Sequence, residues 1–410
     1  MNKREAGAEM NPVEAWPPVA YEELPWASRF PRDALSRRQW EQSRGPYRAA
    51  IPPRIGDATV SLSGASIADA TEAGTLLTRF DAEVGSQLLP FADVLLRSES
   101  ASSSEIENLT SGARAIAETV LGERDQGNAG LVVRNVEAMT AAIRLADHID
   151  ETTIVAMQTA LLEHHAPHLV GEYRREQVWI GGGGLSPHGA DFVPPHDGRV
   201  SAAMGDLVAF IHRTDIPALA HAALAHAQFE TIHPFPDGNG RTGRALVQAM
   251  LRASRVTTNV AVPVSAGLLH DVDRYYGALD AYRKGDAGGI VAVFAEAAGY
   301  AVRNGRALVE DLAEVRATWE GALTGIRADA SARRLADLLF AQPVVNQPFV
   351  SAGLGVSPQG AYNAIGALVE RGLLASATSK HRNRIWYAQP ILSALDDFAA
   401  RAGRRSAPSR

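Results

Sequence analysis

His233-Pro-Phe-Pro-Asp-Gly-Asn-Gly-Arg-Thr-Gly-Arg244 brings an imidazole, a carboxylate, two guanidiniums and a Gly-Asn-Gly turn into twelve residues. The apolar run from Ala222 to Ile232, with Leu224, Gln228 and Phe229 in its periodic pattern, predicts a helix before it. Arg244-Ala-Leu-Val-Gln-Ala-Met-Leu-Arg252 predicts a second helix after it. The stretch is therefore a loop between two helices, and Gly238 to Gly240 run directly into a helix N-terminus.

That arrangement makes an anion site. Glycines permit the turns that point successive N–H groups inward, and the unpaired N–H groups of the following helix add partial positive charge. Arg241 and Arg244 supply fixed charge suited to phosphate oxygens. Asp237 is an oxygen ligand for a hard cation such as Mg²⁺, which bridges carboxylates and phosphates. His233, with an ordinary pKa near ~6.5, serves as a base at neutral pH. Together these parts point to phosphate-transfer chemistry with a protein hydroxyl as nucleophile. Gly238, Gly240 and Gly243 also match the dinucleotide fingerprint G-x-G-x-x-G, but a helix precedes them where that fingerprint needs a strand.

The stretch resembles the signature of the Fic family, H-x-F-x-[DE]-G-N-G-R-x-x-R, at every fixed position. Most members with an intact signature transfer AMP from ATP to a Tyr, Thr or Ser hydroxyl of a protein. The resemblance implies His233 as base, Asp237 as Mg²⁺ ligand, and Asn239, Gly240 and Arg241 on the phosphates, with Arg244 on the γ-phosphate. Phe235 and Gly238 belong to the same expected ATP-binding set.

Composition sets the bounds. The chain has 410 residues, 46% of them hydrophobic, enough for a substantial core and two or three domains. A net charge of −6 gives no global attraction to nucleic acid or anionic membrane. With no cysteine, disulfides, thiolate catalysis and Cys-ligated metals are excluded. No apolar run reaches spanning length and no signal-like core follows the first residues, so a cytoplasmic protein without membrane contact is expected.

Upstream of the motif, residues 1–50 are rich in Pro, Trp, Arg and Glu and read as a solvated, partly helical arm carrying Arg29, Arg32, Arg37, Arg38 and Arg44. Tyr47 to Pro53 reads as extended. A helical region over 51–128 holds apolar positions from Ser66 to Leu96 and again from Leu109 to Val120. Between them, Ser102 with Glu105 reads as a capping box. The same piece, Ser103-x-x-x-Glu107-Asn108, resembles the inhibitory motif of Fic proteins, [ST]-x-x-x-E-[GN]. That resemblance implies a helix whose Glu107 forms a bidentate pair with Arg244 and blocks the γ-phosphate.

The core is expected over 129–325. His164, His165 and His168 lack further ligands at a familiar spacing and read as solvated residues at a helix end. Gln177–Ile180 and Ala190–Val193 read as the arms of a hairpin with a Gly-rich tip. This resembles the Fic flap, with Val178, Trp179, Ile180 and Gly181 holding a protein target, or the chain itself, by β-augmentation. His221 and His226 read as packing or hydrogen-bonded histidines. In Tyr275-Tyr276-x-x-Leu279 the resemblance places Tyr276 near the nucleotide base. Ala292 to Trp319 reads as a long helix leaving the core.

Residues 327–395 resemble a winged helix-turn-helix, with Gln359, Tyr362 and Asn363 on its third helix and Lys380, His381 and Arg382 at the tip of its wing. DNA binding, target docking and homodimerisation are all open for such a module. Residues 396–410 read as a disordered tail. The expected fold is all-α, a Fic helical core with a β-hairpin flap and a C-terminal winged helix. The expected function is a protein adenylyltransferase restrained by Glu107. Removal of AMP by the same site, use of another phosphate-containing donor, and a DNA-binding regulator with a nucleotide-sensing site are the alternatives.

Overall fold

The helix leading into the motif, Ala218–Ile232, is apolar on almost every side, and all of it from Leu219 onward is buried. A helix without a polar face has to sit at the centre of a helical layer. The computed structural model describes residues 16–28, 30–86, 91–123, 127–182, 184–376 and 384–403. In chain order, strand β1 (Ala20–Leu24), helix α1 (Arg37–Gln42) and strand β2 (Tyr47–Ile51) come first. Helices α2 (Gly64–Gly85), α3 (Phe91–Ile106), α4 (Ala113–Val120), α5 (Asn128–Arg144) and α6 (Glu151–Leu162) follow.

Helices α7 (Asp197–Ile211), α8 (Ala218–Ile232), α9 (Asn239–Ala253), α10 (Val264–His270), α11 (Val272–Arg283) and α12 (Ala287–Ala322) complete the core. The central helix α8 packs against α2, α7, α9, α11 and α12. The 36-residue α12 begins where the Asp286 side chain accepts the N–H of Gly289 at 3.1 Å. Capping of this kind stabilises a helix start by about 1 kcal/mol.

The C-terminal part contains α13 (Ser331–Ala341), β3 (Val344–Asn346), α14 (Gln347–Leu354), α15 (Pro358–Glu370), β4 (Ala375–Ser376), β5 (Ile385–Tyr387) and α16 (Gln389–Arg401). Its strands form an antiparallel sheet in the order β3-β5-β4. Gly355, at φ 64°, ends α14 in the left-handed conformation, and Ser357 caps α15. The basic tip at Lys380, His381 and Arg382 lies outside the described residues. Helix α16 runs past position 396, so the expected tail begins as ordered helix up to Arg401. Its apolar side chains Ile391, Leu392, Ala394 and Phe398 are buried, which holds it down.

Two other expectations change. The N-terminal arm is not a solvated segment throughout. β1 pairs antiparallel with β2, Tyr21 opposite Ala50, and Trp16 is buried against Phe210 and Tyr282. Arg32, Arg37, Arg38 and Arg44 are not buried, and Arg29 lies outside the described residues. Further on, Ser102 and Glu105 do not cap a helix start. α3 runs unbroken to Ile106, and both residues are buried in its last turns.

Candidate active site

The motif loop is shaped by two residues in left-handed conformations. His233, at φ 51° and ψ 62°, closes α8, its N–H bonding the Phe229 carbonyl at 2.8 Å. Gly238, at φ 80°, opens α9, and a Cβ there would meet a Leu161 methyl at 2.8 Å. Only glycine satisfies both the angle and the space. Between them the Asn239 amide accepts the Phe235 N–H at 2.9 Å and donates to the Phe235 carbonyl at 2.8 Å. The Asn239 side chain therefore fixes the loop, and its backbone at the start of α9 is the part that remains to serve an anion. Phe235, expected among the ATP-binding residues, is instead fully buried against Tyr173 and Phe229. An aromatic ring this apolar does more for the loop by packing.

A cavity of about 480 Å³ lies over the loop, bounded by Glu107, Ile180, Gly181, Glu230, His233, Asp237, Gly240, Arg244, Tyr276 and Arg283. The structure thus brings most of the expected site residues to one place. Val178 and Trp179 are not among the residues that line the cavity, and Trp179 packs edge-on against Trp26. The two arms of the expected hairpin do not form a ladder among the described residues. A single antiparallel bridge, Ile180 with Phe192, closes the loop. Below it, the Ala50 N–H bonds the Val193 carbonyl at 3.0 Å, so β2 backs the loop instead.

The arginines are already engaged. Arg244, buried, donates from Nε to Ser103 Oγ at 2.8 Å and from Nη2 to the Ser103 carbonyl at 2.7 Å. The same Nη2 donates to Glu107 Oε1 at 2.8 Å. Arg241 Nε donates to the other oxygen, Oε2, at 3.0 Å. The expected bidentate pair on Arg244 alone is therefore corrected. Glu107 shares its two oxygens between both arginines, the pattern a phosphate group would satisfy. Its Oε1 also sits 2.3 Å from where a Cβ on Gly240 would be, so the carboxylate rests against the first turn of α9. Burial works against the charge of Arg244, but Glu107, Tyr275 and Glu230 together, with the hydrogen bond to Glu107, outweigh it and raise its pKa.

The helix end explains the spelling Ser-x-x-x-Glu-Asn. Asn108 adopts φ 63°, its N–H bonds the Glu105 carbonyl at 2.9 Å, and the Leu109 N–H bonds that of Ser104 at 3.0 Å. This is a Schellman closure, which wants Gly or Asn at the left-handed position. It turns the chain immediately after Glu107. Tyr276 donates to the Ile106 carbonyl at 3.2 Å, so the expected base-side tyrosine also touches the end of α3.

His233 is neutral at physiological pH. Desolvation, then the positive charges of Arg174 and Arg283, lower its pKa to about 3. Asp237 is half-exposed at the cavity rim, 3.9 Å from Arg241. His221 bonds the Phe210 carbonyl and His226 bonds the Tyr275 hydroxyl, both packing roles as expected. His164, His165 and His168 are exposed beyond α6.

Several residues escaped the sequence reading. Arg174 is buried and donates to the carbonyls of His233, Glu176, Pro195 and Ile232. It ties the motif loop to both ends of the segment over the cavity. Arg283 lies 3.7 Å over the Phe192 ring and bonds Asp280, pinning that segment from the other side. Glu230 sits buried beside His233. A lone carboxylate three residues before the histidine, in an otherwise apolar helix, was the available signal for it.

A model of the Fic/DOC family matches residues 148–251. A protein adenylyltransferase Fic of Drosophila virilis is 36% identical over 101 residues, 24% of this chain and 19% of that protein. Its counterpart in Aedes aegypti is 34% identical over 108 residues, 26% of this chain and 20% of that protein. The matched part of the chain thus spans about a fifth of the length of these curated relatives. A Fic family protein from Desulfovibrio desulfuricans G20 superimposes over 82% of this chain and 98% of its own, with a TM-score of 0.51 at 22% identity. That likeness is one of fold.

Proposed function

We propose that this chain, a Fic family protein by its domain at residues 148–251, is a protein adenylyltransferase held in check by its own Glu107. What carries the reading is the Glu107 carboxylate between Arg241 and Arg244, an anion seated where nucleotide phosphates would bind. A target hydroxyl, held over the cavity by the Ile180–Phe192 segment, attacks the α-phosphorus of ATP. Its proton passes to His233, the new O–P bond forms, and pyrophosphate leaves. Arg244 and the first turn of α9 hold the phosphates in place.

The donor set fits Mg²⁺. The accessible carboxylate of Asp237 stands at the rim beside the phosphate-binding turn, which suits a cation sharing its shell with phosphates and water. Bound there, Mg²⁺ would neutralise phosphate charge.

The C-terminal module is proposed as a winged helix, supported by the α13-β3-α14-α15-β4-β5 order and the β3-β5-β4 sheet. Tyr362, on α15, is exposed and edge-on to Trp386. A sequence-specific gel shift that survives added salt would assign DNA to it.

The reaction itself is tested with ATP labelled on the α-phosphate and cell lysate as acceptor. Glu107→Gly is expected to label protein, and Glu107→Gly combined with His233→Ala to bind ATP without labelling. Labelling by the double variant would remove His233 from the base role. Loss of label from a purified AMP adduct, in place of transfer, would reverse the direction assigned.

A further inference from the structure

Resting on the transferase reading, we infer that Glu230 is the positioning partner of His233, aiming its imidazole and stabilising it once protonated. Glu230 lies three residues before His233 on the last turn of α8, and its Oε2 is 3.7 Å from His233 Nδ1. That is ion-pair distance, beyond hydrogen-bond length. Nδ1 of His233 and Oε1 of Glu230 are both buried with no hydrogen-bond partner. Unpartnered atoms on two adjacent buried side chains are costly unless they serve a state other than the resting one, although the oxygen nearest Nδ1 is Oε2.

The protonated state is the one that would use them. With Nδ1 turned to Glu230, Nε2 is the ring nitrogen left to accept the proton of the target hydroxyl. In that tautomer Nδ1 already carries its hydrogen; protonation at Nε2 adds positive charge that strengthens the Nδ1–H donor, and a small rotation joins it to the carboxylate. Catalytic hydrogen bonds are often long before substrate binds. The need is specific to this site. Burial and two cationic neighbours make His233 a reluctant proton acceptor, and its main-chain contact with Glu230 offsets that only in part. A carboxylate beside the ring raises its proton affinity as the proton arrives.

The surroundings keep Glu230 in place. A Cβ on Gly243 would come within 2.9 Å of Glu230 Oε1, so glycine there leaves room for the carboxylate. Arg244, Arg283, Glu107 and Tyr275 face it from α9, α11 and the end of α3, and His226 lies one turn back on α8. Desolvation, opposed mainly by Arg244, raises its pKa to about 7.

The test uses the full chain in the Glu107→Gly background. Glu230→Gln, similar in shape, is expected to lower kcat by about a hundredfold while changing the KM for ATP less than about threefold. The rise of kcat as Glu230 ionises, through about pH 7, is expected to vanish. A kcat within about threefold of the parent would overturn the inference. Should Glu230→Gln lower the melting temperature, Glu230→Asp and Glu230→Asn separate charge from packing. The inference requires the aspartate variant to exceed the asparagine variant by about tenfold, and equality of the two overturns it. No transfer by Glu107→Gly itself would sink the transferase reading, and the inference with it.

Discussion

Glu107 Oε1 lies 2.8 Å from Arg244 Nη2, although 137 positions separate the two residues in the chain. The helix that carries Glu107 is held to the core at two further points in line with it. Ser103, one turn back, meets Arg244 through its hydroxyl and its carbonyl. Glu99, another turn back, accepts the N–H and the hydroxyl of Ser265 at 2.8 and 2.6 Å. One face of α3 is thus fastened to α9 and α10, and the Glu107 carboxylate is the last of its fastenings.

Asn108→Val is expected to loosen that end. A β-branched residue at φ 63° costs roughly 1–2 kcal/mol over Asn or Gly. The variant should melt lower by a few degrees and show raised basal AMP transfer, whereas Asn108→Gly, which keeps the left-handed angle without strain, should change both less. Equal melting temperatures and transfer rates for the valine and glycine variants would show that the turn does not hold Glu107.

Arg174→Lys is expected to destabilise the fold by roughly 2–4 kcal/mol, because an ammonium cannot reach the carbonyls that the guanidinium now serves. Urea unfolding measures it. AMP transfer in the Glu107→Gly background should fall further than the loss of folded protein explains, since Arg174 also places His233. An unchanged urea midpoint would contradict the clamp.

Glu99 sets a pH dependence of stability. Desolvation, opposed by its bonds from Ser265, raises its pKa to about 7 from an unfolded value of 4.5. Between these limits the folded protein holds a proton that the unfolded chain releases, so stability is full below about pH 4.5 and falls as pH rises to about 7. Glu230 contributes in the same sense. Glu99→Gln should flatten the fall in melting temperature across that window. A curve parallel to that of the parent would mean the carboxyl does not titrate there.

The motif was legible because its parts are contiguous. Gly238, Asn239 and Arg241 act through local turn geometry, and that geometry is written in adjacent letters. Glu107 was legible only through the resemblance of Ser103-x-x-x-Glu107-Asn108 to a family motif; the left-handed helix end at Asn108 came from the structure. The sharing of the Glu107 carboxylate with Arg241 was not legible, because that depends on how α3 lies across α9. Arg174, whose partners are backbone carbonyls from separate segments, leaves no pattern in the letters. β1 was missed because its partner β2 begins 27 positions after β1 does. Phe235, a signature residue given a binding role, is fully buried and packs against Tyr173 and Phe229.

The most direct test of the account is the initial rate of α-phosphate label transfer by Glu107→Gly relative to the unaltered protein, at saturating ATP and one acceptor concentration. Releasing both arginines from a carboxylate that holds them by two charge-assisted bonds predicts an increase of at least about tenfold. Equal rates in the two proteins would contradict the account, because Glu107 would then occupy the phosphate site without restraining it.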